Sequence, residues 1–403
     1  MKVLNFRNGL TLLMGSSSRK QSELSLVIKT GHINEPKLGL AALYENIIVR
    51  MARKSGVNLI PSYGGNLTAF TICGDYRKIG DMRAAFTTIK HLCCAPELTD
   101  ADVALAADDI VQHTIDLAPV PKKQVKLAYK HTAFGSDDVV WDTEAYIAAV
   151  KSLTVDDVKQ YIADNYVGNN LVVSYVGPQD TLVMVYHLCE DVFSDLPEGH
   201  RTDVKQLLYT GGFQKLEGNG NVLYALIGWD ISKLSDFAET NVLMTMLSSR
   251  LERELSPLGV DSVVSIAGYF GFRTLRVVLR KETSEANQDK DKETFAQALD
   301  ILARNVVRAK TQCASDRRLE TSCQNAMTQR LAISNEKFLR TVEAAWLHLD
   351  RNVVYDNNRC INNIWRLDAV DVRDMAEKIF AQKATIVLYG VDSSYEELVA
   401  KMK

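Results

Sequence analysis

The amino-acid sequence predicts an α+β protein of two similar domains in tandem, each a mixed β-sheet packed with α-helices. Three observations carry this reading. Apolar runs of strand length alternate with segments of helical periodicity along the whole chain. One helix-then-strand segment occurs twice, Leu367 repeating Leu153 at a separation of 214 residues. A stretch rich in turn formers, Leu196-Pro-Glu-Gly-His-Arg-Thr-Asp203, lies near mid-chain between the copies. The expected division is 1–198 and 204–403, within the size range of single domains.

The duplicated segment aligns without a gap. Leu153, Asp157, Val158, Val173 and Tyr175 recur as Leu367, Asp371, Val372, Val387 and Tyr389. Lys159 matches Arg373, and Tyr166 matches Phe380. Both copies read alike. Thr154 or Asp368 is placed to cap a helix. An amphipathic helix follows, and a short turn leads into a buried strand, Leu171–Val176 or Thr385–Tyr389.

The remaining elements follow in order. The first half opens with strands at Val3–Phe6, Thr11–Met14 and Leu24–Lys29, then a helix from Leu38 and a strand at Ala69–Cys73. The second opens with Val222–Trp229, continues in helix, and adds strands at Val263–Ile266 and Phe272–Leu279. A further helical run is expected in each half, Thr99–Ile115 and Lys292–Lys310, before the repeated helix–strand end. Ser284–Lys292 is the most polar stretch and reads as an exposed loop.

Composition excludes several classes. Of 403 residues, 46% are hydrophobic and 24% charged, the mix of an ordinary globular chain rather than a disordered or fibrous one. A net charge of -3 gives no support to nucleic-acid binding. No stretch reaches the ~18 apolar residues of a membrane-spanning helix. The seven cysteines form no C-x-x-C pair, and they read as reduced, mostly buried thiols. His91-Leu92-Cys93-Cys94 reads as a helix packing its Cys and Leu side on the core, and Trp141, Trp229, Trp346 and Trp365 as core or interface anchors. The chain starts directly on a strand pattern, with neither a secretory leader nor an Arg/Ser-rich presequence. The expectation is a protein that stays where it is made, a processed form, or one with atypical targeting.

The informative stretch is Gly31-His-Ile-Asn-Glu35-Pro36, followed by Gly39-Leu40-Ala41-Ala42-Leu43-Tyr44-Glu45-Asn46-Ile47. Glu45 sits among apolar residues on a helix, where carboxylates are uncommon. Here, with Asn8-Gly9-Leu10, Gly64-Gly65 leading to Ala69 and Thr71, Pro96-Glu97-Leu98 and Val176-Gly177, the chain resembles the pitrilysin/insulinase superfamily of zinc peptidases. The resemblance covers nearly the whole chain, tandem duplication included. It implies two pitrilysin-like domains, the first with a degenerate zinc motif.

In the family's inverted motif two His on adjacent helical turns hold zinc and a Glu acts as general base. By the resemblance those His positions are Ala42 and Asn46, and only Glu45 remains. The third ligand position falls on Asp109 or its neighbour Asp108. Alanine donates no lone pair, and Asn46 offers only a neutral amide oxygen. A catalytic zinc centre takes about three protein ligands. None of the seven histidines forms an i, i+3 or i, i+4 pair that could substitute. No residue is therefore assigned a catalytic, cofactor-binding or metal-ligating role, and no cofactor is expected.

Inactive members of the superfamily take different roles. The substrate-binding subunit of a processing peptidase carries a long glycine-rich loop; the matching region here, Asn241–Val260, is short and holds one glycine. Bacterial inactive partners keep an Arg and a Tyr; Arg253 fits the first, but the Tyr position reads near Val260-Asp261-Ser262 and Tyr269 lies too far along. With both half-domains kept, the zinc motif erased and the second-half loop trimmed, the chain is similar to the second core subunit of mitochondrial ubiquinol–cytochrome c reductase (complex III); the alternative is the non-catalytic substrate-binding partner in a heterodimeric zinc peptidase. That resemblance implies a heterodimer with a second pitrilysin-like core subunit. It also implies association with cytochrome b, c-type cytochrome and iron–sulfur subunits on the matrix side of the inner membrane.

Overall fold

The computed structural model describes all residues except 136–141, 204–206, 219, 235–236, 270–271, 336–338 and 355. Trp141 thus lies outside the described residues. In the first half, strands β1 (Lys2–Asn5), β2 (Thr11–Ser16) and β3 (Ser22–Ile28) precede helix α1 (Leu40–Lys54). Strands β4 (Leu59–Tyr63) and β5 (Thr68–Gly74) lead to helices α2 (Ile79–Cys94), α3 (Asp100–Leu117), α4 (Pro121–Phe134), α5 (Thr143–Ser152) and α6 (Val155–Asn165). Strand β6 (Leu171–Gly177) and helix α7 (Leu182–Phe193) close that half.

The second half repeats the sequence of elements. Strands β7 (Gly212–Leu216) and β8 (Val222–Asp230) precede α8 (Phe237–Leu255). Strands β9 (Asp261–Tyr269) and β10 (Phe272–Glu282) lead to α9 (Gln288–Thr311), α10 (Asp316–Asn335), α11 (Leu339–Arg351), α12 (Asn357–Trp365) and α13 (Ala369–Phe380). Strand β11 (Thr385–Tyr389) and α14 (Tyr395–Met402) end the chain.

Sheet topology carries the duplication far beyond the aligned segment. One sheet runs β1-β2-β6-β3-β5-β4 and the other β7-β11-β8-β10-β9. Without the extra edge strand β1, the two orders are the same path. Strand β2 is parallel to β6 as β7 is to β11, and β3 is antiparallel to β6 as β8 is to β11. The helix after each repeat's penultimate strand is α2 in one half and α9 in the other, so α9 pairs with α2 rather than with the Thr99–Ile115 run. The repeated helices α6 and α13 both start on a capping box. Thr154 and Asp157 exchange hydrogen bonds with each other's backbone, and Asp368 and Asp371 do the same.

The chain forms two compact units, each discontinuous in sequence. One holds Met1–Ile115, Trp141–Lys205 and Ala332–Asp356; the other holds Asp116–Val140, Gln206–Leu331 and Asn357–Lys403. In the first unit α11 packs on β2, β3 and β6. In the second, α4 packs on β7, β8 and β11. These two helices occupy the same place in the repeat, and each belongs to the unit whose sheet comes from the other half of the sequence.

Both sheets are therefore covered on two faces, which explains unbroken apolar strands. Along β8, Leu223, Ala225, Ile227 and Trp229 enter the core shared with α8, α9 and α13, and Trp229 meets Phe380 edge to face at 4.8 Å. Val222, Tyr224 and Leu226 face Val125, Ala128 and Tyr129 of α4. Gly228 is required there: a Cβ would lie 2.0 Å from the Tyr129 hydroxyl oxygen. Along β3, Leu24, Leu26 and Ile28 enter the first unit's main core. Its other face presents Glu23 and Ser25 to α11. Ser25 Oγ lies 2.6 Å from both Thr71 and Thr341, and Arg340 binds the buried Glu23 at 3.0 Å.

Two strands escaped the sequence reading, β4 and β7, and both are sheet edges. Strand β4 contains Pro61, which a central strand would exclude. The polar stretch Ser284–Lys292 is not wholly loop. A 3-10 turn, Glu285–Asn287, is followed by α9 from Gln288, where Asp289 and Asp291 favour the helix start.

Candidate functional site

Of the residues singled out in the sequence, Gly31, Glu35, Gly39, Ala42, Glu45 and Asn46 lie on or just before α1 of the first unit, while Asn8-Gly9-Leu10 packs against Gly168, Asn169 and the end of α7. Asn8-Gly9-Leu10 forms the β1–β2 turn, with Gly9 at φ 82° and Phe6 N–H donating to Leu10 at 2.9 Å. Gly31 lies so close to Gly64 and Gly65 that a Cβ would meet the Gly64 carbonyl oxygen at 2.4 Å. Ile33 N–H donates to the Gly65 carbonyl at 2.6 Å, tying the loop before α1 to the loop between β4 and β5.

Helix α1 lacks a capping side chain at its own N-cap, Gly39, which holds φ 86°. Glu35 does that work from upstream. Its Oε1 accepts from Gly39 N–H at 2.7 Å and its Oε2 from Ala41 N–H at 2.8 Å. Burial pushes the Glu35 carboxyl up to about 7, against the backbone donors, which pull it down. In the sequence Glu35 stands out only as part of a motif, and its position four residues before Gly39 is the one signal of a cap.

Ala42, Glu45 and Asn46 are all half-buried on α1. Burial alone pushes Glu45 up to about 7. Tyr146 of α5 lies near both carboxyls, and burial and then the charges of Glu35 and Glu45 raise its phenol. The Asn46 Oδ1 is buried with no hydrogen-bond partner among the described residues. On the other flank, buried Tyr44 donates to the Cys93 carbonyl at 2.7 Å and stacks edge to face with Tyr161 and Tyr166. Leu92 and Cys93 are buried on α2 and Cys94 half-buried, as the helical reading expects. None of the seven cysteines, all among the described residues, is in a disulfide.

Asp108 and Asp109 lie exposed on α3. Asp109 binds Arg50 of α1, and Asp102 binds Lys54 at 2.9 Å, so two ion pairs tie α3 to α1. The residues at the positions the resemblance assigns to zinc ligands fit zinc poorly. Alanine contributes nothing, Asn46 a neutral oxygen, and the Asp109 carboxylate already answers a guanidinium. No group of three or more His, Cys, Asp or Glu suited to a metal ion occurs among the described residues. What the arrangement can do is hold a helix rigidly through its cap, its tyrosines and its ion pairs.

In the second unit the Asn241–Val260 region is helix α8 as far as Leu255, then a 3-10 turn, Ser256–Leu258, closed by Gly259 at φ 64°. Arg253 is largely exposed on α8 with Glu254 at 3.8 Å, and Tyr269 ends β9. Among the described residues no helix is long and apolar enough to cross a membrane.

No curated protein matches the chain in sequence. A chain in a structure of complex III2 from Candida albicans superposes with a TM-score of 0.81 at 14% identity, covering 100% of this chain and 99% of that one. A peptidase M16 inactive domain from Pseudomonas fluorescens gives 0.82 at 13% identity, with 98% of each chain covered. The first half of the periplasmic protease PqqL from Escherichia coli gives 0.73 at 13% identity, covering 100% and 93%. At these identities the likeness is one of fold. Residues 152–282, from the end of α5 through β10, match the family model for the peptidase M16 inactive domain, and the whole chain has the two-sheet α+β fold of these M16-type structures.

Proposed function

We propose that this chain is a non-catalytic pitrilysin-like subunit whose role is structural, a core subunit of ubiquinol–cytochrome c reductase of the second type. The observation that carries the reading is the donor set on α1. Ala42 and Asn46 stand where the resemblance puts zinc-binding imidazoles, and Glu45 is left as a buried carboxyl. The inactive-domain match over 152–282 supports the non-catalytic part. The full-length fold likeness to a chain in the complex III2 structure supports the respiratory part.

On this reading the repeat units are 1–198 and 204–403, and no residue has a catalytic, cofactor-binding or metal-ligating role. The partners are a second pitrilysin-like core subunit and the cytochrome b, c-type cytochrome and iron–sulfur subunits. The location is the matrix side of the mitochondrial inner membrane, with membrane contact through those subunits. Obligate interfaces of such assemblies bury roughly 2,000–5,000 Å2.

The test is purification of the tagged chain from mild-detergent membranes, followed by native sizing and a reduced-minus-oxidised spectrum. A large assembly with b- and c-type haem bands supports the reading. A second reading, the non-catalytic partner in a heterodimeric zinc peptidase, is favoured by the likeness to the Pseudomonas fluorescens inactive domain. A small, haem-free pair with a zinc-bearing partner would replace the first reading with the second.

A further inference from the structure

The second unit holds a concentration of cationic side chains that the proposed role does not use. A cavity of about 370 Å3 lies between α8 and the start of α10. Arg250 and Arg253 line it from α8, and Arg317 and Arg318 from α10. Ser249 and Ser315 add hydroxyls, and no aromatic or acidic side chain is among the lining residues. The wider chain is slightly acidic, at -3, so this is a local departure from its balance.

The cluster is under-neutralised. Among its arginines Arg253 pairs with Glu254 at 3.8 Å, and that carboxylate is shared with Arg308 at 3.5 Å. Arg250, Arg317 and Arg318 have no carboxylate partner among the described residues. Glu252, Asp316 and Glu320 belong to the same helices but do not line the cavity. Arg250 is half-buried. Burial first, then the charges of Arg318, Arg308 and Arg253, lower its pKa, with Glu254 opposing. A single exposed arginine reads as a solvated surface group. Four converging on one concavity repel each other at close range, and an anion that enters relieves them.

The chemistry of the lining selects the anion. Guanidinium forks fit the paired oxygens of phosphoryl groups, and the serine hydroxyls can donate to the remaining ones. A cavity of this size accepts a short chain of phosphoryl groups. It offers no aromatic surface on which a nucleobase would stack.

We propose that this cavity is a binding site for a phosphoryl-bearing polyanion, gripped by Arg250, Arg317 and Arg318. The ligand is either a free oligophosphate or a phosphorylated lipid headgroup, and the site stands independently of the subunit role proposed above.

The experiment uses the full chain and tripolyphosphate as probe, read by calorimetry and by thermal shift at low salt. The expected result is saturable binding that raises the melting temperature. Arg250→Gln with Arg318→Gln should weaken it by at least about 10-fold, since each charge-assisted contact contributes about a factor of ten. Arg304→Gln, in a separate cavity, should leave it unchanged. If the double variant does not fold, the exposed Arg317→Gln reads the same loss. It should also raise the melting temperature without phosphate, by relieving repulsion. Sedimentation with phosphatidylcholine vesicles, with and without phosphatidylinositol bisphosphate, separates the sources. Arg318-dependent vesicle binding competed by tripolyphosphate assigns a headgroup; binding of tripolyphosphate alone assigns a free oligophosphate. Absence of both, or equal binding by wild type and variants, overturns the proposal.

Discussion

Glu45 is a carboxyl group whose titration is set by burial. Its carboxyl rises from 4.5 to about 7 because burial penalises the charged form and no cation or donor compensates. The folded chain therefore holds that proton where the unfolded chain has released it. Its stabilising effect is full below pH 4.5, falls through the window up to about pH 7, and is lost above it. Glu35 has the same sign over the same window. We expect Glu45→Gln to stabilise the chain at pH 8 by roughly 1–3 kcal/mol and to do nothing at pH 4.5. Urea unfolding at the two pH values reads this directly, and an equal effect at both would contradict the assigned cause. Gly31→Ala should cost several kcal/mol on the order of other overpacked sites, because its Cβ would collide with backbone rather than a movable side chain. The motif glycines were visible in the sequence. The partners that require them, Gly64 and Gly65, are brought there only by the fold.

At the scale of elements, the duplicated helix and its cap were legible because a capping box is a local device. Thr154→Ala and Asp368→Ala should each cost about 1 kcal/mol, and the two losses should add, since each cap belongs to its own unit. Denaturant midpoints of the two singles and the double check this. Helix α11 depends on a different kind of contact. The Glu23 side chain is 4% exposed and has Arg340 as its cation. We expect Arg340→Met alone to cost about 3–5 kcal/mol, and Glu23→Leu in the same chain to restore most of it. A single variant as stable as wild type would remove this pair from the account of α11. The edge strands β4 and β7 were hidden for a physical reason. Edges need fewer apolar residues, and Pro61 is tolerated where an N–H is not required.

At the scale of the molecule, two consecutive repeats could be read from the chain, while the membership of α4 and α11 could not. Periodicity identifies the apolar face of a helix, and it does not say which sheet that face will cover. The two compact units each complete their second sheet face with a helix from the other half of the sequence. Separate expression of residues 1–198 should therefore leave the Glu23–Ser25 face of β3 uncovered. We expect such a fragment to expose hydrophobic surface and to aggregate, as read by dye binding and light scattering. In the proposed assembly the chain should be more thermally stable than in isolation, since a partner that binds only the folded form shifts the equilibrium toward it.

The absence of a zinc centre at Ala42, Glu45 and Asn46 is the central claim, and zinc titration of the purified full chain tests it most directly. We expect no stoichiometric zinc site that depends on Glu45, and no difference between wild type and Glu45→Gln. A tight one-to-one site abolished by Glu45→Gln, with peptide hydrolysis appearing on loading, would contradict the non-catalytic reading.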